Sequence, residues 1–262
     1  MTATPELKFK EYPQYNIVLE AASKDYYATN LIYTGTAVWQ SGENLCNYCK
    51  ENIAFFNNKS ILELGSGVGI VGIALATMLA REASMESHSR FVITDGYSHI
   101  VDLMLRNCEL NKVNIDCKTL RWNNSDDMQE MSDMYSGGFQ CIFGSDLYYN
   151  RSQDQVIHDI FATVAALLSH DGIFLMACTR RDMDIETVFS IASGAGFQWG
   201  LAEDSVYDIF GNNTEGMTEL WRDAIFKFRR KKIDRTTSFD GPGRTIWSSS
   251  VVVEIPVEFT CM

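Results

Sequence analysis

The stretch Ser60-Ile61-Leu62-Glu63-Leu64, followed by Gly65-Ser66-Gly67-Val68-Gly69 and an apolar run from Ile70 to Leu79, constrains this chain more than any other. The first run reads as a buried strand, the glycines as a tight loop and the longer run as a packed helix. Glycines directly after a strand let the backbone approach a ligand without a Cβ clash, and the next helix presents free N–H groups. The unit then repeats. Arg90-Phe91-Val92-Ile93-Thr94 reads as a second strand ending at Asp95-Gly96, with a packed helix over Ile100 to Leu110.

The same rhythm continues, with strands near Asp116–Leu120 and Gln140–Phe143 and a helix from Asp154 to Leu168. A turn at Asp171-Gly172 precedes a fifth strand at Ile173–Ala177, then a helix over Ile185–Ala192 and a strand from Phe197. Val251–Phe259 suits a terminal strand. Alternating strands and helices predict a three-layer α/β architecture around a mostly parallel sheet. Ahead of it, residues 1–35 read as a small strand-bearing extension, and apolar residues at three- and four-residue steps predict a helix from Trp39 to about Ile53. Residues 204–248 break the rhythm as a polar insertion, and the basic cluster Lys227–Lys232 within it reads as a solvated face.

Charge narrows the partners. Lys and Arg number 22 against 34 Asp and Glu, a formal charge of -12, so a polyanion meets a repulsive field and nucleic acid is not an expected partner. No run approaches the ~18–20 apolar residues of a membrane span, and the seven cysteines are odd in number and scattered, unlike a secreted disulfide framework. A cytoplasmic protein is the expectation, with nuclear entry open through Lys227–Lys232. Cys46-Asn47-Tyr48-Cys49 is a lone pair on a helix with no ligand-spaced histidine, so no metal is expected.

The glycine loop admits two ligands. Gly67-Val68-Gly69-Ile70-Val71-Gly72 spells the dinucleotide fingerprint, the pattern of an NAD(P)-dependent oxidoreductase, while Glu63-Leu64-Gly65-Ser66-Gly67-Val68-Gly69 spells E-x-G-x-G-x-G. Registering the loop on Gly65 leaves a clean strand, whereas registering it on Gly67 forces Gly65-Ser66 into one. Glu63 then brings a carboxylate near the strand end, which would repel a pyrophosphate and attract a sulfonium, so S-adenosyl-L-methionine is favoured. Asp95 is placed to accept ribose hydroxyls, a role common to both cofactors.

Gly35-Thr36-Ala37-Val38-Trp39-Gln40-Ser41-Gly42, the glycine loop, Thr94-Asp95, Asn107 with Asn111, Leu120-Arg121-Trp122 and Ser145-Asp146-Leu147-Tyr148-Tyr149 occur in one order. Together they resemble the seven-β-strand protein-lysine methyltransferases that lack a SET domain. The calmodulin-lysine branch is similar at Asp95-Gly96, Leu120–Asn123 and Arg180-Arg181. The resemblance implies a class I, Rossmann-like methyltransferase domain over residues 36–262, with a seven-stranded sheet whose last strand is antiparallel. It also implies a protein substrate with an accessible lysine.

By the same resemblance, Gly65, Ser66 and Gly67 cradle the methionine part of the cofactor, Asp95 holds the ribose, Trp39 and Trp122 flank it, and Ser145 approaches from the fourth strand. Asp146 would orient the substrate amine and Tyr149 confine it. Methyl transfer needs alignment of a lone pair with the sulfonium carbon more than covalent help. A non-catalytic scaffold on the same fold is the remaining alternative, disfavoured by the intact loop, Asp95 and Asp146-x-x-Tyr149.

Overall fold

The computed structural model describes residues 5–23, 31–82, 89–148, 154–179, 185–202 and 223–231. An antiparallel hairpin, β1 (Leu7–Tyr12) and β2 (Ile17–Ala22), comes first, then a 3-10 turn at Leu31–Thr36 and helices α1 (Gln40–Glu51) and α2 (Ile53–Phe56). The glycine loop separates β3 (Ser60–Leu64) from α3 (Ile70–Glu82). The repeat follows as β4 (Arg90–Asp95), α4 (Ser98–Asn111) and β5 (Asp116–Thr119). Next come α5 (Ser125–Met134), β6 (Phe139–Ser145), α6 (Asp154–Leu167) and β7 (Leu168–Thr179). The described chain closes with α7 (Ile185–Gly194), β8 (Phe197–Leu201) and β9 (Asp223–Arg230).

Among the described residues, seven strands make one sheet in the order β5-β4-β3-β6-β7-β9-β8. The β5-β4-β3-β6-β7 portion is parallel, and β9, the last described strand in sequence, runs antiparallel to both neighbours. Chain order reverses between β3 and β6, the switch point beyond which ligands bind in open α/β sheets. The core lies in two layers, with α1, α3 and α4 packed on one face of the sheet and α5, α6 and α7 on the other. No helix among the described residues is long and apolar enough to cross a membrane.

The N-terminal hairpin is tied to this body through α4. Asn107 Oδ1 accepts from the Glu20 amide (2.7 Å) and its Nδ2 donates to the Val68 carbonyl in the glycine loop (2.9 Å). One turn on, Asn111 accepts from the Val18 amide (2.9 Å) and donates to the Val18 carbonyl (2.6 Å). Two asparagines at i, i+4 thus offer a helix flank as a hydrogen-bonding edge for β2.

Three expectations need correction. The stretch read as a polar insertion carries a sheet strand, β9, the last among the described residues; the expected strand at 251–259 lies outside the described residues. The basic cluster is therefore no solvated face. Lys227 and Phe228 are buried, Arg230 Nη2 donates to the Ala165 and Leu168 carbonyls (2.7 and 2.9 Å), and Lys231 Nζ donates to the Ser193 carbonyl (2.8 Å). Finally, β7 already begins at Leu168. Its pairing with β6 jumps from Phe139↔Leu168 to Cys141↔Ile173, so the turn expected at Asp171-Gly172 is a bulge within the strand.

Candidate active site

β3 ends at Leu64, and Gly65, Gly67 and Gly69 all take positive φ (57°, 55° and 83°). This is the E-x-G-x-G-x-G register, with each glycine in a conformation that side chains resist. Space is also tight. A Cβ on Gly67 would sit 2.8 Å from the Gly35 carbonyl oxygen, and one on Gly65 would meet Leu147 at 2.8 Å and Trp122 at 3.2 Å. Gly72, the third glycine of the dinucleotide spelling, is accounted for by packing alone, since a Cβ there would meet Ile93 at 2.4 Å and Glu63 at 2.9 Å.

Ser66 and Asp95 fasten the loop to β4. The Ser66 amide donates to the Thr94 carbonyl (2.8 Å), and its Oγ accepts from the Thr94 amide (3.0 Å). Asp95 Oδ2 accepts from the Gly67 amide (3.3 Å) and Oδ1 from the Tyr97 amide (3.1 Å). Burial pushes the Asp95 carboxyl upward, while these backbone donors pull it down. On the far side Asp146 follows β6 with φ 49°, an uncommon conformation for a residue with a side chain. Its amide donates to the Ala177 carbonyl (2.9 Å), and its Oδ1 accepts from the Thr179 amide (3.2 Å).

These parts surround one cavity of about 560 Å³ at the switch point. Trp39, Gly65, Ser66, Gly67, Asp95, Trp122, Ser145 and Asp146 all line it, so eight of the ten residues singled out from the sequence converge. Trp39 is held by its indole N–H, which donates to the Thr34 carbonyl (3.0 Å). Tyr149 lies outside the described residues.

Glu63 departs from expectation. It is absent from the lining, 1% exposed, and its Oε2 accepts from the Gly72 amide (2.9 Å), so the carboxyl points under the loop toward α3. Burial pushes its pKa up to about 8. The cause is strand alternation: Glu63 shares the face of Ile61, opposite Leu62 and Leu64, and cannot face the strand's open end.

The cavity nonetheless keeps the acidic character that Glu63 was expected to supply. Its described ionisable lining consists of Asp95, Asp146, Tyr97 and one cation, Arg121. That guanidinium is already clasped by Asp127, with Nε to Oδ2 and Nη2 to Oδ1 both 2.8 Å, which lowers the Asp127 pKa. Two carboxylates and an engaged cation suit a positively charged ligand better than a pyrophosphate. Tyr97, Arg121 and the Gly35 carbonyl were not anticipated as site groups; the Gly35–Gly42 motif held the only hint of the last. Among the described residues, no cluster of three or more His, Cys, Asp or Glu could hold a metal.

Residues 28–193 match a protein family described as lysine methyltransferase. The calmodulin-lysine N-methyltransferase of Arabidopsis thaliana is 30% identical over 172 residues, covering 63% of this chain and 52% of that protein. Methyltransferase-like protein 23 of Dictyostelium discoideum is 26% identical over 213 residues, covering 73% and 74%. This chain thus spans about half the length of the Arabidopsis relative. Among solved structures, a putative SAM-dependent methyltransferase from Streptococcus mutans aligns with a TM-score of 0.55 at 14% identity, over 86% of this chain and 56% of that one. This last likeness concerns the fold.

Proposed function

Because the chain belongs to the lysine methyltransferase family, we propose that it transfers methyl groups from S-adenosyl-L-methionine to a lysine side chain of a non-histone protein. The observation that carries this reading is that the Asp95–Gly67 clasp and Asp146 line one and the same cavity. Its fit to the cofactor rests on the narrow glycine passage, the tryptophans Trp39 and Trp122 and the acidic lining.

When bound, S-adenosyl-L-methionine supplies an electrophilic methyl group on a cationic sulfur. The chain's own residues position the reactants. Asp95 accepts the ribose hydroxyls, Gly65 to Gly67 admit the amino-acid part, and Trp39 and Trp122 exclude water from its flanks. Asp146 draws in the substrate ammonium and aligns the nitrogen once it has lost its proton. Lysine's ordinary pKa of ~10.4 falls near another positive charge, which favours that loss. Tyr149 would add an aromatic wall beside the nitrogen. The name of the Arabidopsis relative, a calmodulin-lysine enzyme, agrees with an acceptor protein outside chromatin.

Incubation of the protein with methyl-labelled cofactor and fractionated cytosolic proteins tests this, with mass spectrometry locating the label. Label on lysine nitrogen that disappears with Asp146→Asn supports the reading. Label on arginine, histidine or nucleic acid contradicts it.

A further inference from the structure

Helix α4 ends where Lys112 turns left-handed at φ 56°, and the Val113 amide donates back to the Cys108 carbonyl (3.1 Å). The reversal lays β5 against the helix it has just left and brings Cys117 Sγ to 3.6 Å from Cys108 Sγ, within hydrogen-bond contact. Both residues belong to the core layer on the α3 and α4 face of the sheet, with Cys108 inside it and Cys117 packed at its margin. β5 is the outer strand on its side of the described sheet, and Cys117 is part-buried there. The other described cysteines, Cys46, Cys49, Cys141 and Cys178, are at most 2% exposed.

The two thiols are chemically unequal. Cys117 has the Ile115 carbonyl as an acceptor for its own proton (3.9 Å), which leaves its sulfur to accept from the Cys108 S–H. That accepted bond holds the Cys117 thiol below its ordinary pKa, and the same bond, together with burial, pushes the Cys108 thiol up. The part-buried member is therefore the readier thiolate and the buried one the proton-bearing reserve. This is the division of labour between a nucleophilic and a resolving cysteine.

We propose that Cys108 and Cys117 form a reversible oxidation site for hydroperoxides, whose disulfide acts on the neighbouring cavity. The Cys117 thiolate attacks one peroxide oxygen and the O–O bond breaks, giving a sulfenic acid and a hydroxide that takes up a proton. Cys108 sulfur then attacks Cys117 sulfur; the S–O bond breaks, and the hydroxide leaves as water with the Cys108 proton. Two thiols and one hydrogen peroxide thus become one disulfide and two waters. A dithiol returns the pair to thiols by exchange and is itself oxidised to a disulfide.

A covalent S–S bond, at ~2.05 Å, is about 1.5 Å shorter than this contact, and a close-packed interior shares that closure with the backbone of α4 and β5. Both elements hold the cavity of the glycine loop. Asn107, beside Cys108, donates to the Val68 carbonyl; beyond Cys117, the Leu120 amide donates to the Asp95 carbonyl (3.0 Å), just ahead of Arg121 and Trp122 in the cavity wall. A binding constellation tolerates roughly 0.5 Å of displacement, so oxidation weakens the hold on the ligand. This consequence, unlike the site itself, rests on the cavity being the cofactor's.

Trypsin cuts after Arg106, Lys112 and Lys118, so the disulfide is read by mass spectrometry as a link between the peptides Asn107–Lys112 and Val113–Lys118. Protein first reduced and then treated with hydrogen peroxide should give these linked peptides, and dithiothreitol should separate them. In Cys108→Ala, dimedone should trap a sulfenic acid on Cys117, whereas Cys117→Ala should leave Cys108 almost unlabelled. Peroxide-treated parent in which both cysteines still alkylate in full on unfolding would overturn the site. Equal dimedone labelling in the two variants would overturn the order of attack. In calorimetric titration, the oxidised parent should bind S-adenosylhomocysteine roughly threefold to tenfold more weakly than the reduced parent, the scale of one lost hydrogen bond. Dithiothreitol should restore the affinity, and Cys117→Ala should not respond to peroxide. Equal affinity before and after oxidation would overturn the action on the cavity. Linked peptides from a parent whose reduced form binds no S-adenosylhomocysteine would uphold the disulfide and count against the cofactor reading.

Discussion

Asp95 and Gly67 meet through a hydrogen bond of 3.3 Å from the Gly67 amide to Asp95 Oδ2, closing the glycine loop of β3 against the end of β4. Neither residue acts alone. Gly67 can offer its amide there because it takes φ 55° and has no side chain to strike Gly35, and Asp95 can accept because β4 ends level with the loop.

Gly67→Ala should therefore damage both fold and site. A left-handed alanine costs about 1–2 kcal/mol, and the 2.8 Å approach to the Gly35 oxygen adds displacement of the loop. The expected result is a lowered melting temperature together with lost cofactor affinity. Gly194→Ala, where a new Cβ would meet nothing within 4 Å, should leave cofactor affinity unchanged in the same titration.

Glu63 gives the protein a pH signature. Below pH 4.5 the carboxyl is protonated in folded and unfolded chains alike; between 4.5 and about 8 the unfolded chain ionises it while the folded one retains the proton. Its contribution to stability is fully present below that window and is lost as pH rises through about 8. Glu63→Gln keeps an acceptor for the Gly72 amide and should melt above the parent at pH 9, with the gap closing toward pH 5. A gap that does not change with pH would mean that Glu63 stays ionised in the fold.

Most of the architecture is legible because the buried strands and helices of β3 to α4 carry unbroken apolar periods. The exceptions share a physical cause. Helix α5 buries only Met131 and is otherwise polar, so no apolar stripe marks it; its signal is the Asn124 cap, whose side chain accepts from the Asp127 amide (3.0 Å). Strand β9 lies between β7 and β8 with both faces covered, and its lysine and arginines find partners that a charge count cannot foresee. The site was legible wherever backbone conformation dictates residue type, as at Gly65, Gly67 and Gly69. It was misread at Glu63, where strand alternation rather than position along the strand decides which way the carboxyl points.

Asp146 should separate binding from transfer. Asp146→Asn keeps an acceptor for the Thr179 amide and a residue that tolerates φ 49°, so the fold should persist. Loss of the charge that draws in and aligns the amine should lower turnover about a hundredfold, the scale of a small misplacement of reactants. Affinity for S-adenosylhomocysteine should stay close to that of the parent protein. Parent-like turnover in Asp146→Asn would remove its charge from the mechanism.

The most direct test is calorimetric titration of S-adenosylhomocysteine into the parent protein and Asp95→Ala, both checked for folding by circular dichroism. Binding by the parent that falls roughly tenfold or more in Asp95→Ala, the scale of hydrogen bonds to a charged group, is the expected result. No binding by a folded parent, or equal binding by the two proteins, would contradict the assignment of this cavity to the methyl donor.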